Sequence, residues 1–494
     1  MRTLTDKFKT QLTLLLLTAG ALLVAGYHPF AEDAEIYLPG VEKILNPGLF
    51  PVGQEFFLSH AHMTLFPNVM AVFLRVTHLP MEVGLLLWQL ASIYLLLLAC
   101  WQLSGLLFES ARARWGGVCL VAALLTIPVA GTALYIMDQY LNPRNLAAFA
   151  GIFALTRLLE KKYVWVLFWL GFAASMHPLM WVFPASFCLL FVVMERLEIW
   201  RRRSRIEAPA VMALVFGIGL IPETSEAYHE AAIKHGYHYI QNWTWYEVAG
   251  IFAPLALFWR FGRVARGRGW ANAERLRRAF VVYGVIYFAM ALVFDLPLHF
   301  EALARVQPLR SLHFLYIVMF LMIGAFLGEY VLKDRVWRWL FLFVPLSAGM
   351  FLAQRALFPD DAHVELPGMA PRNPWAQAFL WVRKNTPVDA VFALNPEYMR
   401  IAGEDHVGFR CLAERSRLAD DGKDNGVVSM FPPLAEKWWS QVKDQTPWEN
   451  FQSQDFLRLK SKYGVGWIVV QRQAAVDGFD CAYPNNVVRV CRLP

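Results

Sequence analysis

The sequence predicts a membrane all-α bundle of about eleven transmembrane helices followed by a soluble α/β domain, and three observations predict it. The chain of 494 residues is 57% hydrophobic and only 17% charged, with a mean hydropathy of +0.38. That is too apolar for a soluble chain of this length. Apolar segments recur at roughly 11–26, 83–107, 115–136, 145–158, 163–176, 179–194, 209–222, 243–259, 279–296, 312–331 and 338–354. About 20 residues cross a hydrocarbon core of about 30 Å, and the shorter segments are tolerable inside a bundle or with local thinning. With Met1 placed inside and the gaps numbered alternately, the inner gaps and their edges carry 23 Lys and Arg. The outer gaps carry six: Lys43, Arg75, Arg144, Lys234, Arg305 and Arg310. The positive-inside rule produces this asymmetry in a multispanning protein.

The first segment has a basic start, Arg2 to Lys9, before the apolar run Leu12 to Val24. Because Ala21 to Pro29 offers no small-x-small cleavage site with a polar flank, it reads as an uncleaved first helix. An outer-face loop, 27–81, follows. Within it Leu65 to Leu79 is apolar but short, contains Pro67 and carries Arg75 near its middle. Counting it as a span would invert every later loop, so it reads as an interfacial helix with Arg75 reaching the headgroups. His60, His62 and His78 flank it; as a metal spacing they are weak, and ordinary interfacial histidines are the plainer reading. Cys100, Cys119 and Cys188 fall in spans as packing residues.

These boundaries make residues 1–354 the membrane domain and 355–494 an outer domain. The tail holds 17 basic and 17 acidic residues, so the net charge of +7 lies in the membrane part. Clusters such as Arg201-Arg202-Arg203 then hold topology and touch anionic headgroups, and nothing points to nucleic acid. In the tail, helices are predicted at Trp375 to Lys384 and Ser453 to Tyr463. Strands are predicted at Ala390 to Leu394, Trp467 to Val470 and Val487 to Val490. No glycine-rich phosphate loop, zinc spacing or nucleophile elbow occurs there. Cys411, Cys481 and Cys491 also lie in the tail, where an oxidising compartment permits a disulfide, Cys481 and Cys491 being the natural pair.

The outer side gathers the residues able to carry chemistry. Glu32, Asp33 and Glu35 follow the first helix directly, and a carboxylate there has a pKa open to tuning by charge and burial. The same acids equally suit a helix start capped against its dipole. Asp138 and Arg144 share a short polar turn, which also reads as helix capping with Pro143 in the first turn. His177 lies at another outer end. His235, Tyr237 and His238 mix imidazole with aromatic surface, which suits either an interface belt or sugar stacking. Arg305 and Arg310 are cations on a side otherwise poor in them, which suits either a bound anion or anchoring to lipid headgroups.

The motif Glu32-Asp33-Ala34-Glu35-Ile36-Tyr37, the interfacial helix after it and Asp138 in the second outer turn resemble the GT-C superfamily of integral-membrane glycosyltransferases. So do the tail segments Trp381 to Phe392 and Tyr463 to Val470, which are similar to those of bacterial members. The sequence departs from that pattern in lacking a clean Asp-Asp or Asp-Glu doublet and an oligosaccharyltransferase-type acceptor motif. The resemblance implies a GT-C-like fold in a bacterial inner membrane, with a cytoplasmic N-terminus and a periplasmic tail. It further implies inverting transfer of a sugar from a polyprenyl-phosphate-linked donor to an outer-face acceptor, with membrane lipids as surroundings. Asp33 is then the first choice of general base and Glu35 the second, with Glu32 and Asp138 beside them. Arg305, Arg310, Arg144 and Lys234 would hold the donor phosphate, and His177, His235, Tyr237 and His238 the substrate. Some members place a divalent cation, Mg or Mn, at the acids. The alternatives are a lipid-linked saccharide transporter or flippase, or a GT-C-like scaffold without catalysis. A transporter keeps ionisable groups at the midplane and has repeated halves, whereas these spans are almost uncharged and show no repeat.

Overall fold

The computed structural model describes residues 2–203, 225–295 and 301–494. The chain enters through α1 (Arg2–Ala25), then forms three short helices, α2 (Ala34–Leu45), α3 (Glu55–Met63) and α4 (Phe66–Thr77). Between α3 and α4 the axis bends by 87°, so this loop does not run straight through a bilayer. The Arg75 guanidinium, expected to reach headgroups, donates to the Ile44 carbonyl at 2.5 Å.

The bundle continues with α5 (Met81–Leu107), α6 (Ala111–Ala123), α7 (Pro143–Leu159), α8 (Tyr163–Met176) and α9 (Pro178–Arg203). After the short α10 (Glu226–Ile233) come α11 (Trp245–Arg268), α12 (Ala271–Phe294), α13 (Glu301–Ala304), α14 (Ser311–Phe326) and α15 (Val336–Leu357). Among the described residues seven of these are long and apolar enough to cross a membrane, or eight if the bent pair counts as one span. The segment expected at 209–222 lies outside the described residues. Three others are shorter than a full crossing. Of these, 115–136 departs most from expectation: its helix stops at Ala123. Pro128 and Gly131 break the run, and a tight turn in which Val129 N donates to the Leu134 carbonyl at 2.8 Å replaces it. α7 and α8, of 17 and 14 residues, pack against each other, α7 buried within the bundle and α8 on its outer surface with Val164 and Leu167 exposed. Around α15 the situation is the reverse: Trp337, Phe341 and Leu352 are all exposed, a surface suited to hydrocarbon.

α6 and α14, with the helical turn that continues α14 through Leu327–Leu332, meet backbone to backbone. A Cβ on Gly116 would lie 2.2 Å from the Gly324 carbonyl oxygen, and one on Gly328 would lie 2.3 Å from that of Arg112. In hydrocarbon, where apolar side chains gain nothing by leaving lipid, such small-residue stripes let backbones touch and supply the packing energy.

The last third carries α16 (Pro374–Asn385), β1 (Val391–Leu394), α17 (Phe409–Ala413), β2 (Ser416–Arg417), α18 (Asp424–Met430), α19 (Ala435–Asp444), α20 (Ser453–Tyr463), β3 (Trp467–Gln471), β4 (Asp480–Pro484) and β5 (Val488–Arg492). The strands form one sheet in the order β2-β1-β3-β5-β4, parallel where β1 meets β2 and β3 and antiparallel from β3 onward. Phe392 and Leu394 enter one apolar layer with Trp375, Phe379 and Phe409, while Val391 and Ala393 enter the other with Phe456 and Leu459. Alternate side chains thus fill both faces, as a covered sheet requires. Cys481 and Cys491 are joined by a disulfide between β4 and β5.

Loop 27–81 and this region fold against each other. Tyr27 pairs with Val364 and Ala31 with Val407 as isolated bridges, and Val52 N donates to Ser416 Oγ at 3.1 Å. Phe56 is buried in one cluster with Tyr228 and Trp438. The α6–α14 contact is directly testable. Gly324→Ala must separate the two backbones and is expected to cost about 1–3 kcal/mol, the range for overpacking. This should appear as a lower thermal midpoint of the detergent-solubilised protein, with Gly20→Ala, where an added Cβ meets nothing within 4 Å, unchanged.

Candidate functional site

α1 ends at Ala25, and Gly26 turns the chain with φ +81° beneath the His363 carbonyl. The next residues cross to the tail: Glu32 N donates to the His406 carbonyl at 3.0 Å, with Glu32 itself in the left-handed region at φ +55°. Asp33 occupies the position before α2, yet its side chain makes no capping hydrogen bond. Both acids instead face a cavity of about 690 Å³ shared with Asp138, Arg144, Lys234, His235, Tyr237, Arg310, Arg400, His406 and Lys423.

The cavity is built on paired charges. Glu32 Oε1 lies 2.9 Å from His406 Nδ1, and Glu32 Oε2 accepts from the Lys423 ammonium. That ammonium also donates to Asp33 Oδ1 at 3.1 Å. Asp33 Oδ2 and Asp138 Oδ2 each lie 3.1 Å from Nη2 of the same guanidinium, Arg144. Arg144 is presented by the first turn of α7, where Asn142 caps the helix and Pro143 takes its first position. The capping anticipated for that turn is therefore real, and it aims Arg144 into the cavity.

Charge and burial drive these carboxylates apart. Burial opposes ionisation of Glu32, but Lys423 and His406 outweigh it and bring its pKa down to about 2. Asp33 is likewise held well below the carboxylate range by Lys423 and Arg144 against the effect of burial. For Asp138 burial prevails over Arg144, and the repulsion of Asp33 adds to it, so its pKa is raised. Burial also drives His235 down to about 4, leaving a neutral imidazole beside the cations.

Glu35, expected as a second base, is not in this cavity. Two residues beyond Asp33 along a helix, it is turned about 200° from it and points into the protein with no exposure. Its Oε2 accepts from Arg410 N at 2.7 Å, and Oε1 lies 3.5 and 3.8 Å from the Arg410 and Arg417 guanidinium groups. Arg410 in turn grips both oxygens of Asp424 at 2.9 and 2.7 Å. Burial raises the Glu35 pKa to about 7 despite these arginines.

The other expected residues divide similarly. Arg310 lines the cavity with its Nε unpartnered and its guanidinium 5.6 Å from the Tyr237 ring centre. Lys234 lines it too, but its ammonium donates to the buried Asp421 at 2.6 Å. Arg305 is exposed and lies outside the cavity, because it sits in the turn just after α13, five residues before Arg310 reaches the wall. His177 lies in an adjoining hollow of about 120 Å³ with His60 and Gln307, bounded by Asp33, Arg144, Tyr237 and Arg310 in common with the larger one. His238 is buried behind His235, their rings 5.3 Å apart and stacked, and does not line the cavity.

Sequence reasoning missed Lys423, His406 and Arg400, which all come from the tail. The one visible signal was Asp420-Asp421-Gly422-Lys423-Asp424, a dense charged run around a glycine, hidden by the tail's balanced charge. Among the described residues no group of three or more His, Cys, Asp or Glu side chains is arranged to hold a metal ion. Glu32 and Asp33, the acids where a divalent cation was anticipated, offer no oxygen free of a nitrogen partner.

No family model and no curated protein sequence matches the chain. Solved structures similar to it include the archaeal oligosaccharyltransferase AglB from Archaeoglobus fulgidus in complex with an inhibitory peptide and a dolichol-phosphate. It is 11% identical, with a TM-score of 0.47 over 94% of this chain and 70% of that one. The apo form of the Archaeoglobus fulgidus oligosaccharyltransferase is also 11% identical, with a TM-score of 0.42 over 93% and 69%.

Two outcomes separate the buried ion pairs from the cavity. Arg410→Met leaves Asp424 buried without its cation and Glu35 with Arg417 alone, and should cost about 3–5 kcal/mol, read as a large loss of thermal midpoint, whereas Asp33→Asn, which loses a cation-held carboxylate at the edge of the cavity, should lower that midpoint by less. Glu32 has a depressed folded-state pKa, so its pairing stabilises above the ordinary value of 4.5 and is lost as pH falls through about 2. Glu32→Gln should therefore lower the thermal midpoint at pH 7, and the gap from wild type should close as the pH is taken from 4.5 toward 2.

Proposed function

We propose that the protein is a membrane glycosyltransferase of the GT-C type, moving a sugar from a polyprenyl-phosphate-linked donor to an acceptor on the outer face of a bacterial inner membrane. The observation that carries this is one cavity lined by three carboxylates, Glu32, Asp33 and Asp138, together with Arg144 and with Arg310, whose Nε has no partner. A transfer from a phosphate-linked sugar needs those two halves: a base for the acceptor hydroxyl and fixed positive charge for the phosphate that leaves. The sidedness of the charges supports the orientation, since the turns that line the cavity are those expected outside by the basic-residue count.

In this reading the carboxylates have different tasks. Asp138, whose pKa burial raises, is the stronger base and takes the acceptor's proton as its oxygen bonds to the anomeric carbon. The bond from that carbon to the phosphate oxygen breaks on the opposite face, an inverting displacement. Asp33, held ionised by Lys423 and Arg144, stays negative and stabilises positive charge developing on the sugar ring. Two carboxylates driven apart in pKa are the usual arrangement for such a division. Asp138 thereby replaces Asp33 as the base. Arg310, with Arg144 beside it, receives the departing polyprenyl phosphate, and His235 and Tyr237 offer a neutral imidazole and an aromatic face to the sugar.

The test is transfer from a panel of short-chain polyprenyl-phosphate sugars by the purified protein. Asp138→Asn should lower the rate about 10²–10⁴-fold, the usual contribution of a general base, with donor affinity retained. The wild-type rate should fall as pH drops through the raised Asp138 pKa, since a base acts only when deprotonated, and this limb should be absent in the variant. Arg310→Ala should weaken donor binding by about 1.5–3 kcal/mol, the range for a hydrogen bond to a charged group. Full transfer by Asp138→Asn would return the base to Asp33, and unchanged donor affinity in Arg310→Ala would remove that residue from the phosphate site.

A further inference from the structure

The carboxylates at the start of α2 are those at which a divalent cation was anticipated, and their surroundings do not suit one. Mg²⁺ and Mn²⁺ take oxygen ligands, Mg²⁺ in a near-ideal octahedron at about 2.0–2.1 Å. All four oxygens of Glu32 and Asp33 already face nitrogen: His406 Nδ1 at 2.9 Å and the Lys423 ammonium on Glu32, and Lys423 at 3.1 Å and Arg144 at 3.1 Å on Asp33. A dication entering here would have to displace an ammonium and lie beside a guanidinium, while Arg310 and Arg400 line the same cavity.

Lys423 is not a surface lysine that has folded down by chance. Asp420 Oδ1 accepts from the backbone N–H of both Lys423 and Asp424, at 2.5 and 2.9 Å. Asp424 is clamped by Arg410, whose own N–H donates to Glu35. The backbone on either side of the lysine–carboxylate contact is therefore tied by a second set of buried contacts, one or a few residues away on each chain segment. The ammonium keeps its proton: burial opposes the charge, but Asp33 and Glu32 more than offset it.

We propose that Lys423 is a built-in substitute for the divalent cation, a chain-borne ammonium that holds Glu32 and Asp33 in place and ionised, so that the site takes up no metal. Lys423 is a positioning residue acting through those two carboxylates. The inference rests on the transferase reading only for what the carboxylates do. Its test needs neither donor nor acceptor, so the two fail separately.

The full-length protein, purified in detergent and stripped with a chelator, is titrated with Mn²⁺ while free Mn²⁺ is followed by electron paramagnetic resonance. Wild type should leave the Mn²⁺ free. Lys423→Met, which vacates the place between the carboxylates, should gain stoichiometric Mn²⁺ binding that a second substitution, Asp33→Asn, removes. Lys423→Arg, which keeps a cation there, should behave as wild type, and a lysine with a merely structural role would show none of this pattern. Mn²⁺ bound by wild type and released by Asp33→Asn overturns the proposal, as does a monodisperse Lys423→Met protein that binds no more than wild type. Should Lys423→Met fail to purify, the wild-type and Lys423→Arg titrations decide it.

Discussion

The buried pairing of Glu35 with Arg410, and of Arg410 with Asp424, is the contact on which the arrangement of the molecule turns. Glu35 and Asp424 are fully buried and Arg410 is nearly so. Removing such charges from water costs several kcal/mol per ion, and only close, multiply hydrogen-bonded geometry offsets it. That demand is met by the two-pronged grip of Arg410 on Asp424 and by the Arg410 N–H on Glu35. Any slip of α2 against α18 would strand a charge in the interior. The pairing contributes little net stability for its size, but it permits very few alternatives, and this sets the register between the loop after the first helix and the tail.

Everything in the cavity inherits that register. Glu32 and Asp33 sit just before Glu35, and Lys423 just before Asp424, so fixing one pair of segments brings the other into contact. Arg144 arrives independently from the first turn of α7 and joins Asp33 to Asp138. One guanidinium thus serves two carboxylates whose pKa values move in opposite directions, because Asp33 has a second cation in Lys423, whereas at Asp138 burial and the repulsion of Asp33 outweigh Arg144. Arg310 is left with an unpartnered nitrogen in a lined cavity, a cost that a bound anion would relieve.

The bundle below holds this assembly by different physics. Its interior is close-packed apolar side chains and one glycine-lined helix crossing, while its outer surface, most plainly along α15, keeps large apolar groups exposed. α7 starts at the cavity, α8 ends at the adjoining hollow, and the broken run after α6 lines the cavity, where polar turns replace helix. Non-helical backbone among apolar helices is tolerable only where protein or a polar cavity satisfies its hydrogen bonds. The Asp138 carbonyl, for example, accepts from Gln89 Nε2 at 2.8 Å inside the bundle.

Much of this was legible in the sequence, because local periodicity and charge placement are local properties. The long apolar runs, the short helix after α3, the tail's main strands and helices and the gathering of Asp33, Glu32, Asp138, Arg144 and Arg310 on one side follow from composition, spacing and the basic-residue count, whereas the pairing of Cys481 with Cys491 was open until the strands were placed. What the sequence could not decide is direction and partnership. Glu32, Asp33 and Glu35 look equivalent as letters, yet a helix starting at Ala34 sends Asp33 to the cavity and Glu35 to Arg410. Arg305 and Arg310 look equivalent too, yet only the second falls on the cavity wall. Lys423 and His406 meet Glu32 across more than 370 residues of chain, a pairing set by which buried charges can be satisfied together and not by any pattern within reach of either segment.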